Sequence, residues 1–386
     1  MRRNLMLVVC LGAALAAACA SAQGGASGSA VAYVYVANST GGNTNEVTAF
    51  AADGEGRLTP ISGSPFMEDV QYIAVNGKYL MAAARTTPDL ESYRIGKNGA
   101  LAYTVSTDYQ QVTAGCGGVN QMVFDLTGRS LYLTEYDMDC SNNGITNWGV
   151  ESATGGLSFL GPTDTGNWNI NAAYFIGGNK YAYTAYNDSC MYYGMNGFER
   201  QSNGALNEFS PERNSPTPPS GVSAYVPYLG APDRANHVAF FEYPANPPNC
   251  ASGARKLATY TANAKGNLST SSTWANMPTT AIQTAYDMKM SPSGKLLAVA
   301  GQEGLQVFHF NGAEPITHYT PLLTADPISQ MFWDNDNHLY AITGVYGSTV
   351  NRLYVFTITP TGYREAPGSP YTIDKPQYLA VQPRTR

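Results

Sequence analysis

A short mark recurs along this chain: a strand ending in an aromatic or β-branched residue, a turn that holds a glycine, and usually a leucine one or two places beyond. It occurs as Phe50, Gly56 and Leu58; Tyr93, Gly99 and Leu101; Val150, Gly156 and Leu157; Phe198, Gly204 and Leu206; and Tyr260, Gly266 and Leu268. Phe308 with Gly312 lacks the leucine, and Phe356 with Gly362 is followed by Tyr363 and Arg364. Copies spaced by about 50 residues describe an array of modules, each too small to bury its own apolar face and stable only when stacked on its neighbours.

The fullest module covers residues 31–66: a strand rich in Val and Tyr, a polar loop at 38–45, a second strand at 46–51, a turn at 53–56, and the ending Gly63-Ser-Pro65, which returns as Gly368-Ser-Pro370. Turns at 125–128, 291–294 and 334–337 are each preceded by a strand, at 120–124, 286–290 and 329–333. Less regular counterparts lie at 71–75, 171–175 and 223–227. A seventh, 377–381, stands at the very end with no module after it, whereas the strand at 31–38 has none before it. The ends therefore complete each other, which predicts a closed ring of seven four-stranded antiparallel blades, an all-β propeller with the C-terminal strand joined to the N-terminal blade. Gly and Pro interrupt the helical windows, so almost no helix is expected. The Pro-rich pieces 215–221 and 243–249 read as surface loops.

Residues 1–22 read as a secretory signal, with Arg2-Arg3, an apolar run from Leu5 to Ala18, and Ala20-Ser-Ala22 as the cleavage site. The run is too short for a membrane span. Cys19 offers a competing point of lipid attachment. Residues 23–30 read as a linker and 31–386 as one propeller domain, placing the mature protein in the periplasm or outside the cell. Beyond the signal the chain keeps Cys116, Cys140, Cys190 and Cys250, which in an oxidising compartment suggests two disulfides. If the loops entering inner strands and those leaving second strands share a face, the pairs are Cys116–Cys140 and Cys190–Cys250; four cysteines allow three pairings. Charged residues make up 13% of the chain and the net charge is −6, which disfavours nucleic acid as a partner. No cofactor or metal motif is present, and a monomer is expected.

The strand Tyr35-Val-Ala-Asn38, the ending Ser62-Gly-Ser-Pro65 and the Gly-x-Leu turns resemble the lactonase-type seven-bladed propellers with their Tyr-Val-Thr-Asn-type repeats, a group that includes bacterial 6-phosphogluconolactonase and fungal muconate cyclases. The resemblance covers essentially the whole mature chain. In catalytic relatives an inner strand begins His-x-His; here those positions fall on Gly118 and Asn120. A Pro-Arg-His element maps near Ser223 and Ala224. Glu135 and Asp139 fall where relatives carry two Asp residues, and Glu242 falls at a later acidic position. Opening a lactone needs a proton carrier of near-neutral pKa and positive charge for a developing oxyanion, and the His and Arg that would supply them are missing.

The first two positions of the inner strands form a polar, mostly uncharged ring: Gln71 and Tyr72, Asn120 and Gln121, Asn171 and Ala172, Ser223 and Ala224, Tyr286 and Asp287, Ser329 and Gln330, Gln377 and Tyr378. Such a lining suits a small neutral polar ligand or a loop of a protein partner. A propeller channel also needs a polar lining simply to hold water. Asp287 is the one carboxylate of the ring; with Glu135 and Glu242 it would have to supply any acid–base chemistry, whereas acidic loop residues such as Asp137 also read as plain solvated charges. The chain thus reads as a binding or interaction module, with a lactone hydrolase or cycloisomerase acting through acidic residues as the alternative.

Overall fold

The computed structural model describes residues 29–39, 45–67, 69–84, 89–108, 118–136, 144–165, 170, 172–188, 190, 192–345 and 347–384. The strands form seven sheets, each with a path of four antiparallel strands, and three of the sheets carry one further short strand. In blade 2 the path from the axis outward is Val70–Val75, Tyr79–Ala84, Asp89–Ile95 and Leu101–Asp108. Blade 1 takes its innermost strand from the chain's end: Pro376–Pro383 pairs antiparallel with Ala32–Ser39, Ala380 opposite Tyr35. Consecutive inner strands pack side by side from blade to blade, Pro376–Pro383 lying between Val70–Val75 and Gln330–Trp333. The ring expected from the sequence is thus closed by the expected strand.

Because a blade is covered on both faces by its neighbours, its middle strands need no polar side. Tyr79–Ala84 is buried at every position, the pattern of a strand packed on both faces. The core accordingly lies in the seams between blades. Tyr35, Val47, Ile73, Leu80 and Tyr93 fill the seam of blades 1 and 2, and Phe241, Leu257, Leu297, Val299 and Phe308 that of blades 5 and 6. The recurrent Gly turn has a partner across each of several seams. The Tyr35 hydroxyl donates to the Gly99 carbonyl at 2.8 Å, Tyr132 to Gly204 at 2.6 Å, and Tyr183 to Gly266 at 2.8 Å. Burial raises the pKa of all three phenols, so they stay protonated donors.

Among the described residues helix is confined to the 3-10 turn Gly177–Asn179. Blade 5 departs most from expectation. Its inner strand is Ala224–Pro232, five residues longer at its end than the sequence suggested, with a bulge between Pro227 and Gly230. Pro227, Gly230 and Pro232 look like strand breakers, yet an innermost strand has one free edge, where a missing N–H costs no ladder bond. The stretch 243–249, expected as a surface loop, is corrected too. His237–Asn246 is one strand containing Pro244, and Asn249–Cys250 folds back to pair with it. The other Pro-rich piece does lie at the surface, as a strap along the outer edge of blade 5. Thr217 pairs with Thr273 and Arg213 with Leu268 in parallel bridges, covering an edge that would otherwise be open.

Inner strands begin on one face of the ring, here the upper face, and end on the lower. Cys190 and Cys250 are joined by a disulfide that ties the upper loops of blades 4 and 5, with Cα atoms 5.1 Å apart. Cys116 and Cys140 lie outside the described residues, as do Asn171, Asp137, Asp139 and residues 1–28 with Cys19. No helix of the described residues is long and apolar enough to cross a membrane.

Candidate functional site

The upper mouth of the channel is shaped by irregular pairing at the start of the inner strands. In blade 2 the register shifts between Val70 and Tyr72, leaving Gln71 as an extra residue. The same shift leaves Asn120 extra in blade 3, Tyr286 in blade 6 and Gln377 in blade 1. These are β-bulges, which re-aim a side chain that regular alternation would direct elsewhere. Four of the seven first positions named from the sequence are bulged residues. Gln71 and Gln377 are half-buried, and Tyr286 keeps 38% exposure while its hydroxyl donates to Gln302 Oε1 at 2.8 Å.

The second positions behave differently, because three of them reach sideways to the next blade. Asp287 Oδ2 accepts from the Met331 amide of blade 7 at 2.9 Å; Gln330 Oε1 accepts from the Leu379 amide of blade 1 at 2.8 Å. The Tyr378 ring then packs on Tyr72 of blade 2 with centroids 4.3 Å apart. Burial is the main cause that raises both phenols' pKa values, and Tyr72 adds to the rise at Tyr378 while Gln71 opposes it. Gln121, half-buried, stands at this level in blade 3.

Asp287 also has its other oxygen engaged: Oδ1 accepts from the Met288 amide at 2.9 Å and pairs with Lys289 Nζ at 2.8 Å. Glu242 lies elsewhere, fully buried on the second strand of blade 5 in the seam towards blade 4. Tyr260 donates to its Oε1 at 3.0 Å, and no hydrogen bond reaches Oε2 among the described residues. Burial pushes its carboxyl up to about 7, against smaller opposing effects of the Tyr260 hydrogen bond and Arg213. Asp287 and Glu242 therefore occupy different seams and are not brought together. Glu135 is in the second strand of blade 3, pairing with Val119. Ser223 is exposed just ahead of the blade 5 inner strand, its amide donating to Asn246 Oδ1 at 2.7 Å, while Ala172 is buried.

All four histidines lie off the inner strands. His237 and His338 open second strands, His309 is in a third and His318 in an outer one. His338 Nδ1 is 2.7 Å from Asp334 Oδ2, which also accepts from the Tyr340 hydroxyl at 2.9 Å; Asp334 Oδ1 holds the amides of Asp336 and His338. The 334–337 sequence is thus a turn with its carboxylate directed inward.

One group at this face escaped sequence reasoning. Tyr228 lies on the blade 5 bulge, 5.5 Å from the Tyr243 ring, and Arg255 stacks 4.2 Å over Tyr243. Burial pushes the Tyr243 phenol up to about 12, with Tyr228 adding to the rise, Arg255 opposing it and Glu303 adding a little more. Only alternation carried past Pro227 would have placed Tyr228 on the inner strand.

No family model and no curated protein matches this chain. Solved structures do. A candidate 6-phosphogluconolactonase from Bacteroides fragilis is similar at a TM-score of 0.56 and 14% identity, over 91% of this chain and 97% of its own. The periplasmic gluconolactonase of Pseudomonas aeruginosa gives 0.51 at 18% identity, over 75% and 82%. The fold is that of the lactonase-type propellers. A functionally unknown protein from Desulfotomaculum acetoxidans gives 0.60 at 12% identity, over 91% and 98%. At these identities the likeness carries the fold alone; activity has to be argued from the site.

Proposed function

We propose that this lactonase-type propeller is an extracytoplasmic binding module whose upper mouth takes a small neutral polar ligand such as a sugar. The observation that carries the reading is the state of Asp287. Both of its oxygens are held by amides of the fold and by Lys289, so the carboxylate of the ring is a staple between blades rather than a base open to substrate. Around it the mouth offers the amides of Gln71, Gln121 and Gln377 and the phenols of Tyr72, Tyr286 and Tyr378, a set that can donate and accept without imposing charge.

The second reading is a lactone hydrolase, and Glu242 is the observation in its favour, since a carboxyl near 7 has the pKa of a general acid–base group. Its complete burial between two blades weighs against it.

The test is lactone hydrolysis by the mature chain over sugar and aromatic lactones, beside thermal shift with a panel of neutral mono- and disaccharides. No turnover is expected, together with a saccharide-dependent rise in Tm that Tyr286→Ala and Gln71→Ala diminish. Turnover abolished by Glu242→Gln in a variant that remains folded would establish the hydrolase instead.

A further inference from the structure

At the lower end of the channel five consecutive blades line one hollow of about 200 Å³. Leu126 comes from blade 3, Phe175 from blade 4, Arg234 from blade 5, Lys289 from blade 6, and Phe332 and Trp333 from blade 7. Residues so far apart around the ring can share a cavity only near the axis. The hollow sits where the inner strands end, opposite the mouth discussed above.

Phe175, Phe332 and Trp333 bring three aromatic rings to its lining, and its charged groups are not equally engaged. Lys289 is neutralised by Asp287 at 2.8 Å, and its ammonium lies 4.9 Å over the Phe332 ring. The Asp233 carboxylate, at the rim, turns inward to the amides of Ala235 and His237 at 2.9 Å and to His237 Nδ1 at 2.7 Å. Arg234 is exposed, and among the described residues no hydrogen bond or ion pair engages its guanidinium. A partly aromatic hollow with a guanidinium that no carboxylate engages among the described residues complements an anion carried on an apolar ring.

We propose that this hollow binds a small aromatic carboxylate, with its ring between Phe175 and the Phe332 and Trp333 wall and its carboxylate on Arg234. A guanidinium matches a carboxylate in two parallel hydrogen bonds. The volume equals that of roughly seven waters at about 30 Å³ each, which suits one six-membered ring with a short substituent. Water against aromatic walls is displaced favourably by an apolar group. A neutral aromatic would gain the walls without the charge, and a small aliphatic anion the charge without the walls.

Trp333 supplies the readout, because its indole N–H donates to the Lys289 carbonyl at 3.2 Å and its ring lines the hollow. The mature chain would be titrated with benzoate while tryptophan emission is followed, beside benzyl alcohol and acetate. A saturable change is expected with benzoate, absent in Trp333→Phe. The apparent Kd should rise tenfold or more in Arg234→Gln, whose exposed side chain leaves the fold intact, and benzyl alcohol and acetate should each bind at least tenfold more weakly. Unchanged affinity in Arg234→Gln, parity of benzyl alcohol with benzoate, a signal that survives in Trp333→Phe, or no saturable change in the native chain would each overturn the proposal.

Discussion

Glu242 sits in an environment far from the one its side chain has in water. Sealed between blades 4 and 5 with one hydroxyl donor, it holds its proton to about pH 7 in the folded protein, against an ordinary value of 4.5. The folded chain therefore binds a proton there that the unfolded chain has already released between those two values. The resulting stabilisation is complete below about 4.5 and is lost as the pH rises through 7, a difference of about 3 kcal/mol. Gln keeps the acceptor for Tyr260 and carries no charge. Glu242→Gln should thus match the native chain in chemical denaturation at pH 4.5 and exceed it by about 3 kcal/mol at pH 8. Parallel pH profiles for the two proteins would show that the carboxyl reaches water. The same comparison of partners explains why Asp287, the residue most attractive from sequence, is placed as a staple: a side chain's type was legible, whereas the Met331 amide of another blade was not.

At the scale of elements, the repeated Gly turn and the tyrosine of the preceding blade form one device. At Gly266 the backbone has φ +81°, and an added Cβ would stand 2.7 Å from the Phe209 ring and 2.9 Å from that of Tyr181. Gly266→Ala should therefore cost about 2 kcal/mol or more in equilibrium unfolding, because strain and overlap coincide. Tyr183→Phe, which removes only the hydroxyl bonded to the Gly266 carbonyl, should cost about 1 kcal/mol. A smaller loss for the glycine than for the tyrosine would mean that the turn relaxes without effort. The glycines were visible as the sequence's most persistent mark; that Tyr35, Tyr132 and Tyr183 bond to them was not, because glycine and tyrosine belong to different modules. Blade 5 shows the converse. Pro227 and Pro232 masked a real inner strand, since the rule that proline breaks a strand assumes a neighbour on both edges; Pro244 masked a second strand that has neighbours on both sides.

For the whole molecule, closure depends on one strand, Pro376–Pro383, added to Ala32–Ser39. Deleting residues 376–386 would leave the long edge of Ala32–Ser39 unpaired and two blade seams half covered, which predicts aggregation or proteolysis rather than a smaller stable ring. Size-exclusion chromatography checks this: a monodisperse, folded truncated chain would show that the ring holds without its closing strand.

Ring size, antiparallel blades, the closing strand and the Cys190–Cys250 link could all be read from the sequence, because repetition, turn chemistry and strand alternation are local and survive without knowledge of neighbours. The residues set on the bulges of the mouth, Gln71, Asn120, Tyr286 and Gln377, were legible for the same reason, each standing at one fixed place in its repeat. What each polar side chain does once there was decided by the tertiary structure. Asp287 and Gln330 reach amides of the next blade, Glu242 is sealed in a seam, and the lower hollow is assembled from blades 3 to 7. Such partners are set by how one blade is staggered on another, a relation between modules that no single module's sequence carries.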